Sequence, residues 1–319
     1  MIDDKALLER LEHEIAAIEY PDRARGLYRP VAYALESGGK RLRPLLTLAT
    51  CQACCGDYSK ALNQAVGIEM FHNFTLIHDD VMDDSRRRRG RLTVCYRWNN
   101  EQAILSGDAL LTMATVRVTD GAGDLAGRVL KVFNDTALGV YEGQQLDIEN
   151  EKRRKASIKT YMKTIELKTS ILLGAACTLG AIMGGADAGR AAALYDYGIN
   201  VGMAFQLRDD WLDVFGNGKT FGKAIGNDIL TRKKTWLYIN AYNRYAEEID
   251  NIYDSESSPA SIVVRVRSIY NRMKLSDKCN ALIGNYRTAA IKALDKAGLS
   301  ADDHRWFATL ADSLCRRTK

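Results

Sequence analysis

Leu76-Ile77-His78-Asp79-Asp80-Val81-Met82-Asp83-Asp84 closes a long apolar helical run and leads straight into Ser85-Arg86-Arg87-Arg88-Arg89-Gly90. Four carboxylates at one helix end repel one another and are costly to desolvate, so a cation is expected among them. At 3.6 residues per turn, Asp79 and Asp83 stack on one face about 6 Å apart, with Asp80 turned roughly 100° away. That spacing suits hard divalent ions. The pattern recurs in Phe205-Gln206-Leu207-Arg208-Asp209-Asp210-Trp211-Leu212-Asp213, again at the end of an apolar helical stretch. One D-D-x-x-D in an Asp-rich chain is a weak motif; two, each closing a helix, carry more weight. If the helices face each other across a cavity, their carboxylates hold Mg²⁺ ions with positions left open for phosphate oxygens. The bland alternative is two solvated acidic helix ends.

Composition narrows the class. The chain has 319 residues, 46% of them hydrophobic, and no compositional break, which is read as one domain over 1–319. Only four prolines occur (Pro21, Pro30, Pro44, Pro259), and alternating strand patterns are scarce, so an all-α chain is expected. A net charge of +5, with Arg86 to Arg91 as the one dense basic cluster, argues for a local polyanion site and against a nucleic-acid partner. The acidic start, Met1-Ile2-Asp3-Asp4-Lys5, has no apolar core behind it, so no signal peptide is expected. The weakly hydrophobic run Thr169 to Ala186 reads as a buried helix rather than a membrane span. Seven cysteines, an odd number, point to reduced thiols and a cytoplasmic location. Cys51-Gln52-Ala53-Cys54-Cys55 lacks a second pair, so its cysteines are read as small buried helix residues.

Along the chain, Leu7, Leu8, Leu11, Ile15 and Ile18 form one stripe of a helix over Asp3 to Tyr20 that Pro21 stops. Helices follow over Arg29 to Glu36 and from Pro44 to about Gly56. Between them, Gly38-Gly39-Lys40-Arg41-Leu42-Arg43-Pro44 sets Lys40 and Arg43 beside a helix start, a natural anion site. The helix Ser59 to Met82 places Phe71, Phe74, Thr75 and His78 on its acid-facing side, with His72 elsewhere on the turn. Thr93 to Asn99 and Glu101 to Val118 read as helices, the second interrupted at Ser106-Gly107-Asp108. Asp124 to about Glu149 carries Gly143-Gln144-Gln145-Leu146-Asp147, and Ser157 to Met183 carries Glu166-Leu167-Lys168-Thr169, a polar quartet suited to a cavity wall. Asp187 to Phe215 bears the second acidic cluster. The Gly-rich loop Gly216 to Asp228 has the length of a lid. Helices near Thr231 to Ile249, Pro259 to Met273 and Asp277 to Lys296 precede a last one opened by the capping box Ser300-Ala301-Asp302-Asp303.

Assembled in this order, the residues resemble the trans-isoprenyl diphosphate synthases, the short-chain prenyltransferases that include farnesyl and geranylgeranyl diphosphate synthase. The anchors are G-G-K-R-L-R-P at Gly38 to Pro44, D-D-x-x-D at Asp79 to Asp83, R-R-G at Arg88 to Gly90, G-Q-x-L-D at Gly143 to Asp147, K-T at Lys168-Thr169 and F-Q-x-x-D-D-x-x-D at Phe205 to Asp213, with later G-K and K-K-T segments. The resemblance implies a single-domain all-α barrel of long, mostly antiparallel helices around a central cavity, the isoprenoid synthase type I fold, as a homodimer. It further implies about three Mg²⁺ held by Asp79, Asp80, Asp83, Asp209, Asp210 and Asp213. Arg88, Lys168, Lys223 and Lys233 would hold the allylic diphosphate, while Lys40, Arg43, His72 and Arg89 match positions that bind isopentenyl diphosphate. Of the residues it marks as catalytic, Lys168, Thr169 and Gln206, the oxygens of Thr169, Gln206 and the backbone near Lys168 would stabilise the allylic cation. Cys95 departs from the family, in which many relatives carry His there, and the Arg86-Arg87 insert is more basic than usual.

Diphosphate leaves only once its charge is neutralised, and the cation it leaves behind would be attacked by the double bond of isopentenyl diphosphate. Product length is expected to depend on Phe74 and Thr75, about 6 to 8 Å deeper along the helix than Asp79 at 1.5 Å per residue. This pair resembles enzymes making farnesyl or geranylgeranyl diphosphate. The alternatives are a class I terpene cyclase, which usually carries an Asn-Asp-x-x-Ser/Thr-x-x-x-Glu motif that Asn227 to Thr235 lacks, and a non-catalytic regulatory subunit, which tends to lose one acidic motif.

Overall fold

In the computed structural model, which describes residues 2–216, 226–256 and 258–317, the chain is helical almost throughout. The helices are α1 Asp4–Ala16, α2 Arg25–Leu35, α3 Leu42–Cys55, α4 Leu62–Met82, α5 Val94–Arg97, α6 Asn100–Thr119, α7 Ala126–Lys152, α8 Ile158–Ile165, α9 Ile171–Met183, α10 Ala188–Phe215, α11 Asn227–Leu230, α12 Trp236–Ser255, α13 Pro259–Arg272, α14 Leu275–Lys296 and α15 Ala301–Arg316. Local chemistry sets several starts. The side chains of Asp3, Asn99, Ser157, Thr235 and Ser300 each accept a backbone N–H of the first turn that would otherwise lack a partner. The capping box expected at Ser300 and Asp303 is present, with Asp303 N–H donating to Ser300 Oγ at 3.1 Å.

Some boundaries differ from the sequence reading. Helix α1 stops at Ala16, so Ile18 leaves the stripe while Leu7, Leu11 and Ile15 are buried. Helix α2 starts four residues before Arg29 and encloses Pro30; α3 starts at Leu42, with Pro44 in its first turn. The expected helix from Thr93 is a single turn, and the arginine-rich loop before it forms a short antiparallel hairpin, β1 Arg87–Arg88 with β2 Arg91–Leu92. Among the three neighbouring cysteines only Cys51 is fully buried, and Cys55 is exposed; all seven cysteines are free thiols.

By its contacts the chain divides into two compact units: Met1–Asp135 with Ala175–Leu194, and Thr136–Gly174 with Tyr195–Lys319. In the first unit α4 packs along α6. A Cβ on Gly67 would collide with Val118, and one on Gly107 with the His78 imidazole, so the two helices run antiparallel at close range. This explains why α6 passes unbroken through Ser106-Gly107-Asp108: Gly107 is a point of helix contact, not a helix end. His78 thereby turns toward α6, 3.2 Å from the Ile104 carbonyl, rather than toward the acidic face.

In the second unit, Tyr161, Leu207, Val214, Leu237, Ile249, Val266, Tyr270 and Ile283 belong to one buried core. Between α8 and α9 the backbone widens into a π-helical turn, Glu166–Ser170. Gly143 of α7 and Gly202 of α10 both close onto this turn: Cβ atoms there would lie 2.8 Å from the Leu167 carbonyl carbon and 2.6 Å from Ser170 Cα. The stretch Ile158–Met183 is long and apolar enough to cross a bilayer, but 72% of its apolar window is buried within the protein.

The first unit also contains a buried ion pair that sequence reading did not single out. Arg41, in the left-handed backbone region at φ 45°, donates to Glu69 Oε1 at 2.7 Å, to Glu12 Oε1 at 2.8 Å and to the Leu35 carbonyl at 2.7 Å. Asn73 Nδ2 donates to the same Glu69 oxygen at 3.0 Å. Removing one member of a buried pair strands its partner, at a cost of about 3–5 kcal/mol. Glu69→Ala is therefore expected to lower the urea midpoint by that equivalent with an unchanged m-value, and an unaltered midpoint would show that the pair does not hold α3 to α4.

Candidate functional site

The first unit brings a cationic cluster and an acidic helix end together. Gly38 and Gly39 have φ of 71° and 131°, which lets the segment before α3 turn back on itself. A side chain on Gly39 would also lie 2.7 Å from the Arg89 guanidinium carbon. Arg89 donates to the Gly38 carbonyl and, at 3.2 Å, to Ser37 Oγ. Arg43 Nη1 lies 3.1 Å from His72 Nε2, and Arg43 Nε is buried with no hydrogen-bond partner. Burial pulls the Arg43 pKa down to about 10 against the pull of Glu69, with Arg89 adding to the decrease. His72 is held well below the usual imidazole range, first by burial and then by Arg43, Arg89, Arg88 and Arg41. A neutral imidazole accepting from Arg43 follows. Arg89 remains open to solvent, and partial desolvation of its guanidinium, with Arg41 and Arg88, lowers it against the opposite pull of Glu69. Lys40 is exposed at the edge of this group. Thus Arg43, His72 and Arg89 come together as the sequence reading expects.

Asp79, Asp80 and Asp83 sit on the last turn of α4 and its cap, with Asp83 N–H donating to the Asp79 carbonyl at 2.9 Å. They differ in setting. Asp80 is buried and takes Nε and Nη2 of Arg88 on one oxygen at 2.9 and 2.8 Å, whereas Asp83 is exposed. Burial raises the Asp80 pKa in spite of Arg88. Asp84, in the left-handed region at φ 48°, accepts from the Tyr96 hydroxyl at 3.0 Å. Below them Phe74 is buried between Phe71 and His78, at ring-centroid distances of 5.6 and 4.7 Å, and Phe71 meets Phe133 edge-on at 5.3 Å. Thr75 Oγ1 donates to the His72 carbonyl at 2.8 Å.

The second unit assembles the other expected residues around the π-turn. Lys168 Nζ lies 2.8 Å from Asp147 Oδ2. Thr169 Oγ1 donates to Gln206 Oε1 at 3.0 Å, and Gln206 Nε2 donates to Asp210 Oδ1 at 2.9 Å. The Tyr161 hydroxyl donates to the other Asp210 oxygen at 2.5 Å. Burial raises the Asp210 pKa; Lys233 opposes the rise and Asp228 adds to it. Burial alone would lower the Lys233 pKa, but the carboxylates of Asp228, Asp210, Asp147 and Asp209 outweigh it and hold the ammonium charged. Asp209 is paired with Arg317, whose guanidinium also sits 4.3 Å from the Phe205 ring centroid. Asp213 is buried and accepts the Asp228 N–H at 2.9 Å, which pins the start of α11. Lys223 and most of the expected lid, 217–225, lie outside the described residues.

Tyr161, Asp147 and Asp228 join the site without having been expected there. Only Asp147 carries a local signal, closing G-Q-x-L-D four residues after Gly143. Asp228, Asp210, Asp147 and Asp209 share three cations, Lys233, Lys168 and Arg317, and the hard oxygen donors left over fit a divalent cation such as Mg²⁺. Among the described residues no three acidic, His or Cys side chains already form a closed metal cage.

Comparison with known proteins gives the family. The polyprenyl synthetase family profile matches residues 24–272. A short chain isoprenyl diphosphate synthase of Methanothermobacter thermautotrophicus is 40% identical over 223 residues, covering 70% of this chain and 69% of that protein. A crystal structure of a geranylgeranyl pyrophosphate synthase superposes with a TM-score of 0.93 at 37% identity, covering 100% of both chains. A polyprenyl synthase from Caulobacter crescentus CB15, solved in complex with calcium and isoprenyl diphosphate, gives 0.86 at 29% identity and covers 99% of this chain and 96% of its own. The chain is therefore a prenyltransferase of the polyprenyl synthetase family with the all-α isoprenoid synthase fold.

Proposed function

We propose that the protein joins isopentenyl diphosphate to an allylic diphosphate head to tail, releasing pyrophosphate and a short trans-prenyl diphosphate of farnesyl or geranylgeranyl length. The observation that carries this reading is the cationic group that Arg43, His72 and Arg89 form beside the segment Ser37 to Gly39, a candidate second anion site besides the acidic clusters. A reaction on a single diphosphate, such as cyclisation, has no use for it.

In this reading the two acidic clusters serve the same allylic diphosphate, and the whole chain acts as one catalytic domain. Asp79, Asp80 and Asp83, with Asp209, Asp210 and Asp213, would hold Mg²⁺, about three ions, which neutralise charge on the leaving diphosphate. Calcium in the Caulobacter relative supports divalent metal use. Lys233 and Lys168, with Arg88 and Lys223, grip the same group. The allylic C–O bond breaks and its electron pair departs with pyrophosphate. The double bond held over Arg43 and Arg89 then attacks the cation, a C–C bond forms, and a proton leaves to the pyrophosphate. Thr169 and Gln206, fixed to each other at 3.0 Å on the π-turn and α10, turn oxygen dipoles toward the cation. The exposed apolar residues of α6, Ile104, Leu105 and Val116, support a homodimer. Seven free thiols suit a cytoplasmic setting.

Mass analysis of products from isopentenyl diphosphate with dimethylallyl, geranyl or farnesyl diphosphate, with and without chelator, tests the function. Chain-extended diphosphates that vanish on chelation are expected, whereas turnover of dimethylallyl diphosphate alone would favour a cyclase. Arg43→Gln should raise KM for isopentenyl diphosphate about tenfold or more, the worth of one charge-assisted hydrogen bond, and leave KM for the allylic substrate nearly unchanged. Equal effects on both would remove the assignment. If Phe74 floors the cavity, Phe74→Ala lengthens the products; an unchanged product distribution rejects that role. His72 titrates lower in the folded protein than its ordinary 6.5, so below that pH the unfolded chain binds the extra proton and stability falls. His72→Gln should flatten the part of the melting-temperature decline that sets in as pH drops below about 6.5, and an identical decline in both proteins would contradict a neutral, buried His72.

A further inference from the structure

A surface cleft of the first unit, 640 Å³ in volume, is lined by Arg29, Tyr33 and Glu36 of α2, Arg91 of β2, and Arg97 and Trp98 at the end of α5. None of the residues assigned above to metal or substrate lines it. The Tyr33 ring carries two guanidiniums, with the Arg91 and Arg97 carbons 4.0 and 4.3 Å from its centroid, and Arg97 also lies 4.8 Å from the Trp98 ring. Tyr33 is itself fixed, its hydroxyl donating to the Leu92 carbonyl at 2.8 Å and its ring meeting Trp98 edge-on at 5.3 Å. A guanidinium held over an aromatic ring retains N–H groups for planar, two-point hydrogen bonding, the geometry that matches phosphate oxygens. Among the described residues no carboxylate forms an ion pair with Arg29, Arg91 or Arg97, although Glu36 shares the cleft wall. Three arginines against one glutamate leave a concentrated positive charge whose self-repulsion the aromatic faces offset only in part.

We propose that this cleft is a binding site for a diphosphate or phosphate-ester anion, separate from the sites that serve the reaction. Arg91 and Arg97 present their edges to the anion and Arg29 completes its neutralisation from α2. The occupant bears on the hairpin used by the acidic cluster, because Arg91 is the ladder partner of Arg88, which holds Asp80. The site therefore has the position of an effector site.

Trp98 provides the readout. The intact protein, in chelator so that the acidic clusters recruit no diphosphate, is titrated with inorganic pyrophosphate, ATP or a prenyl diphosphate while tryptophan fluorescence is followed. The expected result is a saturable change that is lost in Trp98→Phe and shifted at least tenfold to higher concentration in Arg29→Gln/Arg97→Gln. If the double variant melts lower than wild type, Arg29→Gln alone, on the exposed face of α2, is expected to weaken binding about threefold. Response to pyrophosphate supports a free-anion ligand, and response confined to ATP or to the prenyl diphosphate supports a nucleotide or an isoprenoid ligand. No Trp98-dependent response to any of the three at millimolar concentration, or unchanged affinity in the folded variants, overturns the proposal.

Discussion

Like charges gathered where water is scarce govern this protein. Asp80 and Asp210 are buried and pushed toward their neutral forms, while half-buried Arg43 and His72, crowded by Arg89, are pushed toward theirs. Each group opposes folding to some degree, because charges taken from water are not fully repaid by the partners they find. A ligand of opposite sign removes that opposition. In the proposed reaction the acidic groups would take a hard cation and the basic groups a phosphate.

Departures from regular backbone put these groups in place. The π-turn Glu166–Ser170 presents Lys168 to Asp147 and Thr169 to Gln206, and Gly143 and Gly202 let two long helices close against it. Left-handed residues recur around the other cluster: Gly38 and Gly39 before α3, Arg41 at its start, Asp84 and Arg89 on either side of β1. Backbone held in sparsely populated regions persists only where the surroundings over-determine it, and here those surroundings are the Arg41–Glu69 pair, the Arg88–Asp80 pair and the short hairpin.

Much of the helical plan was legible in the chain. Apolar stripes and the cap at Ser300 act over a few residues, and so do the spacings of the two acidic motifs and the placing of Arg43 beside a helix start; His72 and Arg89 rest on the family resemblance. The features that stayed hidden depend on contacts between distant residues. Gly107 looked like a helix break because nothing local announces that His78 packs on it; Arg41 looked like one more base in a basic segment because Glu69 is 28 residues away. Asp213 fits the acidic motif by spacing, yet its carboxylate holds the first turn of α11. The π-turn left only an indirect trace, a polar quartet entering an apolar helix, since an extra residue in a helical turn has no sequence signature of its own.

The proposed mechanism centres on a divalent cation held by the acidic clusters. Thermal melting followed across a Mg²⁺ titration, without substrate, measures its binding directly, because an ion that binds only the folded chain raises the melting temperature as its concentration passes the dissociation constant. A rise of several degrees is expected for the wild-type chain, and little of it for Asp80→Asn/Asp210→Asn, each protein being compared with its own melting temperature without metal. A wild-type curve indifferent to Mg²⁺, or a double variant that gains as much as wild type, would contradict it.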